Sequence, residues 1–413
     1  MAILYIIHQF YPEFYSGTER FLLNLSSSVQ KDGHRVKVVT YKFAEGDEKH
    51  NQDGKLTVRE YVYKGLPILA VKHNILPFNV HSSLEDPEIY RFALEFMQKG
   101  TRYDLVHIAH PMRLASFARA ALQLGIPYVI TLTDFWMICP KVILQTSSGA
   151  LCAGPEGGDA CSRLCPELPS EFVRARLAMA KEILFGAKAV VSPSRFLANL
   201  VNKEFPELSI SIIPHGMDFN YLTSNRKAYS IGDKMVFGYC GSLVPHKGVH
   251  LLLKAFRDLN AASAELQLYG SCFHETDYFE LLHKIADQDQ RIHFCGTYKA
   301  ADMGHLLQGI DVVVVPSVCY ESYSLVLHEA SACNVPVIAS NIGGMAEKIK
   351  DSVNGFTFRA GDDADLNSKL RQIVENPEIL NQIKQELKQC TVPLLEEEAY
   401  LYERLYSTAA PHF

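Results

Sequence analysis

The stretch from Val312 to Glu347, VVVVPSVCYESYSLVLHEASACNVPVIASNIGGMAE, constrains this chain more than any other. Val312 to Val315 is a short β-branched run between Asp311 and Pro316, the pattern of a buried parallel strand. Beyond Pro316-Ser317, Leu325, Glu329 and Ala332 recur at helical intervals, and Ser322 or Ser324 supplies a helix cap. A strand that feeds a loop and then a helix presents the unpaired amides of Tyr323, Ser324 and Leu325 at a helix N-terminus, where the macrodipole also favours negative charge. Phosphate suits that position. Glu321 stands just before this terminus, and Glu329 lies inside the helix four residues after Leu325. Carboxylates repel phosphate but accept hydrogen bonds from neutral hydroxyls, so the pair fits a phosphate flanked by sugar rings. A nucleotide sugar answers that description. The plain alternative is one loop carboxylate and one solvated helix carboxylate, a pairing common by chance.

At 413 residues the chain is long enough for two or three domains, each with a full core. It is 48% hydrophobic and 21% charged, and its formal net charge of −6 leaves no basic excess to displace counterions from a nucleic-acid backbone. Nucleic acid is not expected as a partner. The apolar run Ala2 to Ile7 ends at His8 with no basic leader and no small-residue cleavage site, so it reads as a strand and not as a signal peptide. No apolar run is long enough to span a bilayer. The expectation is a cytoplasmic enzyme, with peripheral contact at the inner face of the membrane left open. Ten cysteines in so long a chain are not a secreted disulfide framework; Cys240 and Cys295, each alone in an apolar strand pattern, read as core residues.

Strand and helix patterns alternate from the start: Ile3 to Ile7, Thr18 to Gln30, Val36 to Thr40, then Leu105 to Ile108, Leu114 to Leu124 and Tyr128 to Thr131. This predicts an α/β fold built on a doubly wound parallel sheet. A polar stretch between Ile212 and Lys234 reads as a linker, and a second alternation runs through Val236–Tyr239, Leu266–Tyr269, Ile292–Phe294, the stretch at Val312, and Val337–Ala339. The predicted division is a Rossmann-like domain over residues 1–220, a second over 221–393, and a closing helix in 394–413. Ligands of open α/β sheets bind beyond the carboxyl ends of the strands, so the loops there hold the candidates. In the first domain the acceptor-side candidates are His8 in HQFYPEFYSGTER, His107 at the next strand end, and Asp134 with the sole tryptophan, Trp136, in TLTDFW, with Gly17 and His110 beside them. The plain alternatives are a helix cap for Gly17 and Glu19, a satisfied core histidine for His107, and packing roles for Asp134 and Trp136. No G-x-G-x-x-G occurs, which counts against a nicotinamide or flavin cofactor. The D-x-D matches, Asp287/Asp289 and Asp363/Asp365, lie in polar turn and cap contexts, unlike a metal-holding pair at a strand end.

The pattern Glu321-x-Tyr323-x-Leu325-x-x-x-Glu329, set after Pro316-Ser317 and before Pro336 and Gly343-Gly344, resembles the signature of the retaining glycosyltransferases of family 4. The resemblance implies a GT-B fold, two Rossmann-like domains with a cleft between them, the first binding acceptor and the second nucleotide-sugar donor. It implies that the closing helix crosses back to the first domain. It carries donor-sugar contact to Glu321 and ribose contact to Glu329. Gly241-Ser242-Leu-Val-Pro-His246-Lys247-Gly248 resembles the family's G-R-L-x-x-x-K-G loop; Lys247 then neutralises the diphosphate, while Ser242 stands where arginine is usual and Ser242 and His246 compensate. Gly270 and the loop Gly296-Thr297-Tyr298 take later strand ends, the latter holding the base, and Ser324 stands where the family has glycine. The Gly17 loop is similar to the family's G-G-x-E loop, with Ser16 replacing one glycine. His110, or else His107, matches an imidazole that touches donor sugar or acceptor. Catalytic roles are thereby implied for Glu321, Lys247 and His110. The implied activity is retaining, metal-independent hexosyl transfer from a UDP- or GDP-sugar to a hydroxyl of a sugar, glycolipid or polyprenyl-linked acceptor, as in cell-surface polysaccharide assembly. Two rivals stand beside it: a nucleotide-sugar epimerase of the same fold, and an inactive partner subunit, to which the missing arginine lends a little weight and against which the retained Glu321, Glu329 and Lys247 argue.

Two further stretches bear on partners and metals. Along Glu171 to Phe185, Arg174 and Lys181 share one helical face and Val173, Leu177 and Leu184 another; this is a face for a lipid-linked acceptor or, more simply, a solvated face over a core face. Cys139, Cys152, Cys161 and Cys165 crowd into 27 residues rich in Gly and Pro and poor in core formers. Their separations of twelve, eight and three residues depart from paired C-x-x-C, so a structural zinc, an iron–sulfur cluster, free thiols and a disulfide all remain open, with zinc the leading expectation.

Overall fold

The computed structural model describes residues 1–42, 49–50, 54–272 and 275–410, so the end of the helix expected in 394–413 lies outside the described residues. The chain divides into two units: Met1–Gly216 together with the chain from Leu395 on, and Met217–Leu394.

The first unit runs β1 (Ala2–Ile7), α1 (Gly17–Lys31), β2 (Arg35–Tyr41), β3 (Lys49–His50), β4 (Leu56–Tyr63), β5 (Leu66–His73), α2 (Pro87–Gln98), β6 (Leu105–Ile108), α3 (Ser116–Gln123), β7 (Tyr128–Thr131), α4 (Asp159–Leu164), α5 (Ser170–Gly186), β8 (Ala189–Ser192), α6 (Arg195–Glu204) and β9 (Ile210–Ile212). Its sheet has the order β3-β4-β5-β2-β1-β6-β7-β8-β9. All six residues of β1 are buried, as the continuous apolar run requires of a strand covered on both faces. The sheet is not wholly parallel, contrary to expectation: β4 is antiparallel to both β3 and β5. The cause is the two-residue turn Lys64-Gly65, with φ of 48° and 83°. Positive φ at both positions is the hairpin geometry that matches strand twist, and glycine adopts it without steric cost. β4 ends exposed, Val62 among its outward residues, as an outer strand can.

The second unit runs β10 (Met235–Cys240), α7 (Val249–Arg257), β11 (Ala264–Tyr269), α8 (Thr276–Ala286), β12 (Ile292–Gly296), α9 (Met303–Gln308), β13 (Val312–Val315), α10 (Leu325–Ala332), β14 (Val337–Ser340), α11 (Gly343–Lys348), β15 (Phe356–Phe358), α12 (Asp363–Glu375) and α13 (Ile379–Leu387). Its six strands are all parallel in the order β12-β11-β10-β13-β14-β15. Two buried clusters cover the faces of this sheet, one with Phe237, Leu252, Phe256 and Leu366, the other with Val313, Leu327, Ala330 and Val337. β12 is an edge strand, and this overturns one expectation: Cys295 is exposed there, whereas Cys240 on central β10 is buried.

Helix α14 (Leu395–Ala409) then returns to the first unit. Ala399, Tyr402 and Tyr406 complete the core formed by Ile3, Tyr5, Phe21 and Leu105. Glu398, 2% exposed, bonds both the His215 ring (3.0 Å to Nδ1) and the Gly216 N–H (2.8 Å) at the end of the unit.

Candidate active site

In the second unit β10 lies between β11 and β13, so the chain winds away from it in both directions. The loops after β10 and β13 lead to α7 and α10, which pack on opposite faces of the sheet, and this makes it the switch point where open α/β sheets take ligands. The first loop turns at Pro245–Lys247 and then at Gly248, whose φ is 71°. A Cβ on Gly248 would meet the Pro316 carbonyl oxygen at 2.0 Å, so only glycine lets the two loops approach. Val318 N–H donates to the His246 carbonyl across the same gap (2.9 Å). This contact brings Lys247 Nζ to 2.6 Å from Glu321 Oε1, and the Ser317 hydroxyl donates to that oxygen, also at 2.6 Å. Burial works against charge on both, but the pairing outweighs it: the Glu321 carboxyl is held below its ordinary range and the Lys247 ammonium above its own. An ammonium and a carboxylate are thus fixed side by side at the switch point of the sheet.

Helix α10 starts at Leu325 with Ser324 as N-cap, whose own side chain makes no capping hydrogen bond. Its first amides therefore point out of the helix toward the Glu321 loop. The Tyr323 ring stacks on His328 (3.9 Å, 12°), whose Nδ1–H donates to the Ser324 carbonyl (2.8 Å). The Glu321 carbonyl accepts from Gly344 N–H (2.8 Å), so Gly343-Gly344 also braces this loop. Glu329 lies on the buried face of α10, 1% exposed. His246 does not replace the missing arginine charge: burial and the neighbouring Lys247 push its pKa down to about 4, leaving it neutral near pH 7. Ser242 gives its carbonyl to Tyr239 OH (2.6 Å). Gly270 N–H donates to the Gly296 carbonyl (2.8 Å), Thr297 is exposed, and Tyr298 meets Tyr269 edge-on at 6.4 Å. The two D-x-D matches are turn and cap residues: Asp287 ends α8, Asp289 pairs with Arg291, and Asp363 and Asp365 open α12.

In the first unit β1 is likewise flanked by β2 and β6, and His8, His110 and Asp134 follow β1, β6 and β7 at the same end of the sheet. The His8 and His110 rings lie 3.9 Å apart, and His110 Nε2 is 2.7 Å from Asp134 Oδ2. Glu19, fully buried, closes a capping box on α1: one oxygen accepts from Ser16 N–H (2.7 Å) and Ser16 Oγ (2.5 Å), the other lies 3.7 Å from His8 Nε2. Burial raises the Glu19 pKa and, with His110 and Arg113 nearby, pushes that of His8 well down. Gly17 is the first helical residue inside this capping box. Trp136 does not face a ligand; it is 0% exposed, its Nε1–H donates to the His81 carbonyl (2.9 Å), and Arg176 stacks 4.5 Å above its ring.

His107 is a core residue, which corrects its placement on the acceptor side. It is 0% exposed, with Nδ1 2.6 Å from Tyr406 OH and Nε2 2.8 Å from Thr131 Oγ1. Burial lowers its pKa to about 3. The unfolded chain therefore binds a proton near pH 6.5 that the folded unit refuses, so stability is full above that pH and is lost as pH falls toward 3. Between pH 6 and 4 this one residue should cost roughly 1.4 kcal/mol per pH unit. Urea unfolding of wild type and His107→Gln across that range checks it: the mutant should show a shallower pH dependence, and parallel curves would contradict the assignment.

The four cysteines of the loop for which zinc is expected lie close enough for Cys139, Cys152 and Cys165 all to act electrostatically on Cys161. Among the described residues no group of three or more His, Cys, Asp or Glu side chains is placed to hold a metal ion. All four thiols are buried; Cys152 donates to the Gly154 carbonyl (3.4 Å), and Cys165 lies 4.0 Å from the Gln145 carbonyl and 3.9 Å from Lys141 Nζ. Burial pushes the Cys139 thiol up, and burial together with the neighbouring Cys139, Cys152 and Cys165 pushes that of Cys161 to about 12. Arg176 donates to the carbonyls of Ser82 (2.8 Å) and, just before the cysteine stretch, of Met137 (3.0 Å) and Trp136. On α5 Val173, Leu177 and Leu184 are buried, and Arg174 pairs with Asp159 at 2.8 Å on the exposed face.

Sequence reasoning missed Ser317, the pairing of His110 with Asp134, and the buried Arg176. The Ser16-x-x-Glu19 box carried a readable signal; Arg176 carried none.

A family model described as Glycosyltransferase Family 4 matches residues 15–221, and one described as Glycosyl transferases group 1 matches residues 223–389. A lipopolysaccharide 1,2-N-acetylglucosaminetransferase of Salmonella typhimurium is 28% identical over 183 residues, 40% of this chain and 48% of that protein, so the chain spans about half of that relative's length. A D-inositol 3-phosphate glycosyltransferase of Arthrobacter sp. is 23% identical over 377 residues, 87% of this chain and 82% of that protein. Among solved structures, Anabaena HepE in complex with UDP and glucose matches with a TM-score of 0.70 at 21% identity, covering 98% of this chain and 100% of that one. Sucrose-phosphate synthase from Thermosynechococcus elongatus matches with a TM-score of 0.72 at 18% identity, over 98% of each chain. Together these define a glycosyltransferase of the GT-B fold. The chain belongs to glycosyltransferase family 4. No helix among the described residues is long and apolar enough to cross a membrane.

Proposed function

We propose that this enzyme transfers a hexose from a nucleoside diphosphate sugar to an acceptor hydroxyl with retention at the anomeric carbon. The observation that carries the proposal is the Lys247–Glu321 pair, 2.6 Å apart beside the start of α10. Lys247 and the first amides of α10 neutralise the departing diphosphate, while Glu321, held by Ser317, accepts hydrogen bonds from the donor sugar's hydroxyls. Glu329 faces the ribose, and the loop at Thr297 and Tyr298 holds the base through its backbone. The C–O bond to phosphate breaks, the acceptor oxygen bonds the anomeric carbon on the same face, and the acceptor proton passes to the leaving phosphate. Retention and the ribose and base roles rest on the family resemblance. A saccharide or lipid-linked saccharide acceptor fits relatives that act on lipopolysaccharide and on D-inositol 3-phosphate.

Nucleoside diphosphate release across UDP-, GDP-, dTDP- and ADP-sugars tests the reading, with the product's anomeric configuration read by NMR. One donor class should turn over and give a retained product; an inverted product, or release from none, would contradict it. In the same assay turnover should persist in EDTA, because Lys247 and the helix amides take the cation's role. Loss restored specifically by Mn²⁺ or Mg²⁺ would overturn that part.

A further inference from the structure

We propose that Asp134 is the side chain that receives the acceptor hydroxyl, and that His110 is its positioning residue. This inference rests on the transferase reading above and assigns a chemical class to the acceptor group. Met112 N–H donates to His110 Nδ1 at 3.2 Å, so Nδ1 is the acceptor nitrogen and the ring proton sits on Nε2. Nε2–H then points at Asp134 Oδ2, 2.7 Å away. Both nitrogens are engaged inside the protein, the side chain is 2% exposed, and the His8 ring lies 3.9 Å from it. His110 has no lone pair left for a substrate proton.

Asp134 is built the other way round. Oδ2 accepts from His110 and Oδ1 from Trp136 N–H at 2.8 Å, yet each carboxylate oxygen keeps a second acceptor direction. Its side chain is 26% exposed, against 2% for His110, 12% for His8 and 0% for Glu19. It is the member of the cluster that solvent, and hence a ligand, reaches. The carboxylate is also held rigidly: its loop is tied at Trp136 and Met137 by the buried Arg176. A fixed carboxylate at a strand end accepts a hydrogen bond from a neutral hydroxyl and repels phosphate. The acceptor group seated there is therefore an uncharged sugar or polyol hydroxyl, with any phosphate of the acceptor held elsewhere. Asp134 aligns that hydroxyl; the proton still leaves with the diphosphate.

The test compares Asp134→Asn, His110→Ala and His110→Gln, using the donor found active in the panel. Water and methyl α-D-glucopyranoside serve as acceptors, and nucleoside diphosphate affinity reports the donor side. Asp134→Asn should slow transfer about 100-fold, the cost expected when a reacting group loses its alignment, with nucleoside diphosphate affinity unchanged. His110→Ala should lose about 10-fold through the acceptor KM, and His110→Gln, whose amide N–H can replace Nε2–H, should recover most of that. Selective ¹⁵N labelling should show His110 with its proton on Nε2, moving in Asp134→Asn. Transfer by Asp134→Asn at the wild-type rate, or His110→Gln as impaired as His110→Ala, would overturn the proposal. If wild type releases no nucleoside diphosphate from any donor, the transferase reading itself fails.

Discussion

Replacing Lys247 by alanine lowers turnover by about two to three orders of magnitude, roughly 3–4 kcal/mol of transition-state stabilisation, while the chain stays folded. Lys247 is the cation held against Glu321 at the carboxyl ends of β10 and β13, and His246 beside it is kept neutral by burial. With serine at position 242 the loop has no guanidinium to share the diphosphate charge, so the loss concentrates on one residue. Glu321→Gln should fall by a similar factor for a different reason: the amide keeps the shape but loses the charge that fixes Lys247 and strengthens bonds to sugar hydroxyls. Because the two side chains share one contact, the double mutant should lose far less than the product of the single losses. Turnover at saturating donor, with circular dichroism to check folding, decides the matter; rates within about threefold of wild type would remove both residues from the site.

Tyr406→Ala should be the most damaging single change to the first unit. Tyr406 is fully buried, its ring packs in the core with Tyr5, Phe21 and Tyr402, and its hydroxyl meets His107 Nδ1 at 2.6 Å. Truncation of a buried aromatic costs about 3–5 kcal/mol, and the orphaned His107 nitrogen adds to it. For a unit of this size that is a fall in Tm of about 6–20 °C. Tyr406→Phe should lose only the hydrogen bond and leave the same His107 nitrogen unpartnered, about 1–3 kcal/mol. A shift below about 2 °C for the alanine variant would mean that α14 does not complete this core.

The parallel strands were legible because β1 and β13 are covered on both faces and read as unbroken apolar runs, and β6, β7 and β8 as short runs with a single polar residue each. The β13–α10 junction was legible because local chemistry, Pro316-Ser317 and then helical spacing, dictates it. Other features depend on distance along the chain. His107 alternates with Val106 and Ile108 whether it faces a ligand or a core, and its partners Tyr406 and Thr131 are 299 and 24 residues away. Cys295 sits in an apolar pattern, yet only the strand order reveals that β12 is an edge. Arg176 occupies an interior helical position where arginine is ordinarily solvated, and nothing local announces the three carbonyls that receive it. The cysteines were legible as a cluster because they crowd together in the sequence, and Cys161 does lie within electrostatic reach of Cys139, Cys152 and Cys165.

Calorimetric titration of UDP and GDP into wild type and Lys247→Ala tests the donor site most directly, because it needs neither acceptor nor turnover. One nucleotide should bind at a single site per chain, and Lys247→Ala should weaken it by at least tenfold, the loss of a charge-assisted phosphate contact. Binding of neither nucleotide, or equal affinity in both proteins, would contradict the assignment of the β10–β13 crevice to a nucleotide-sugar donor.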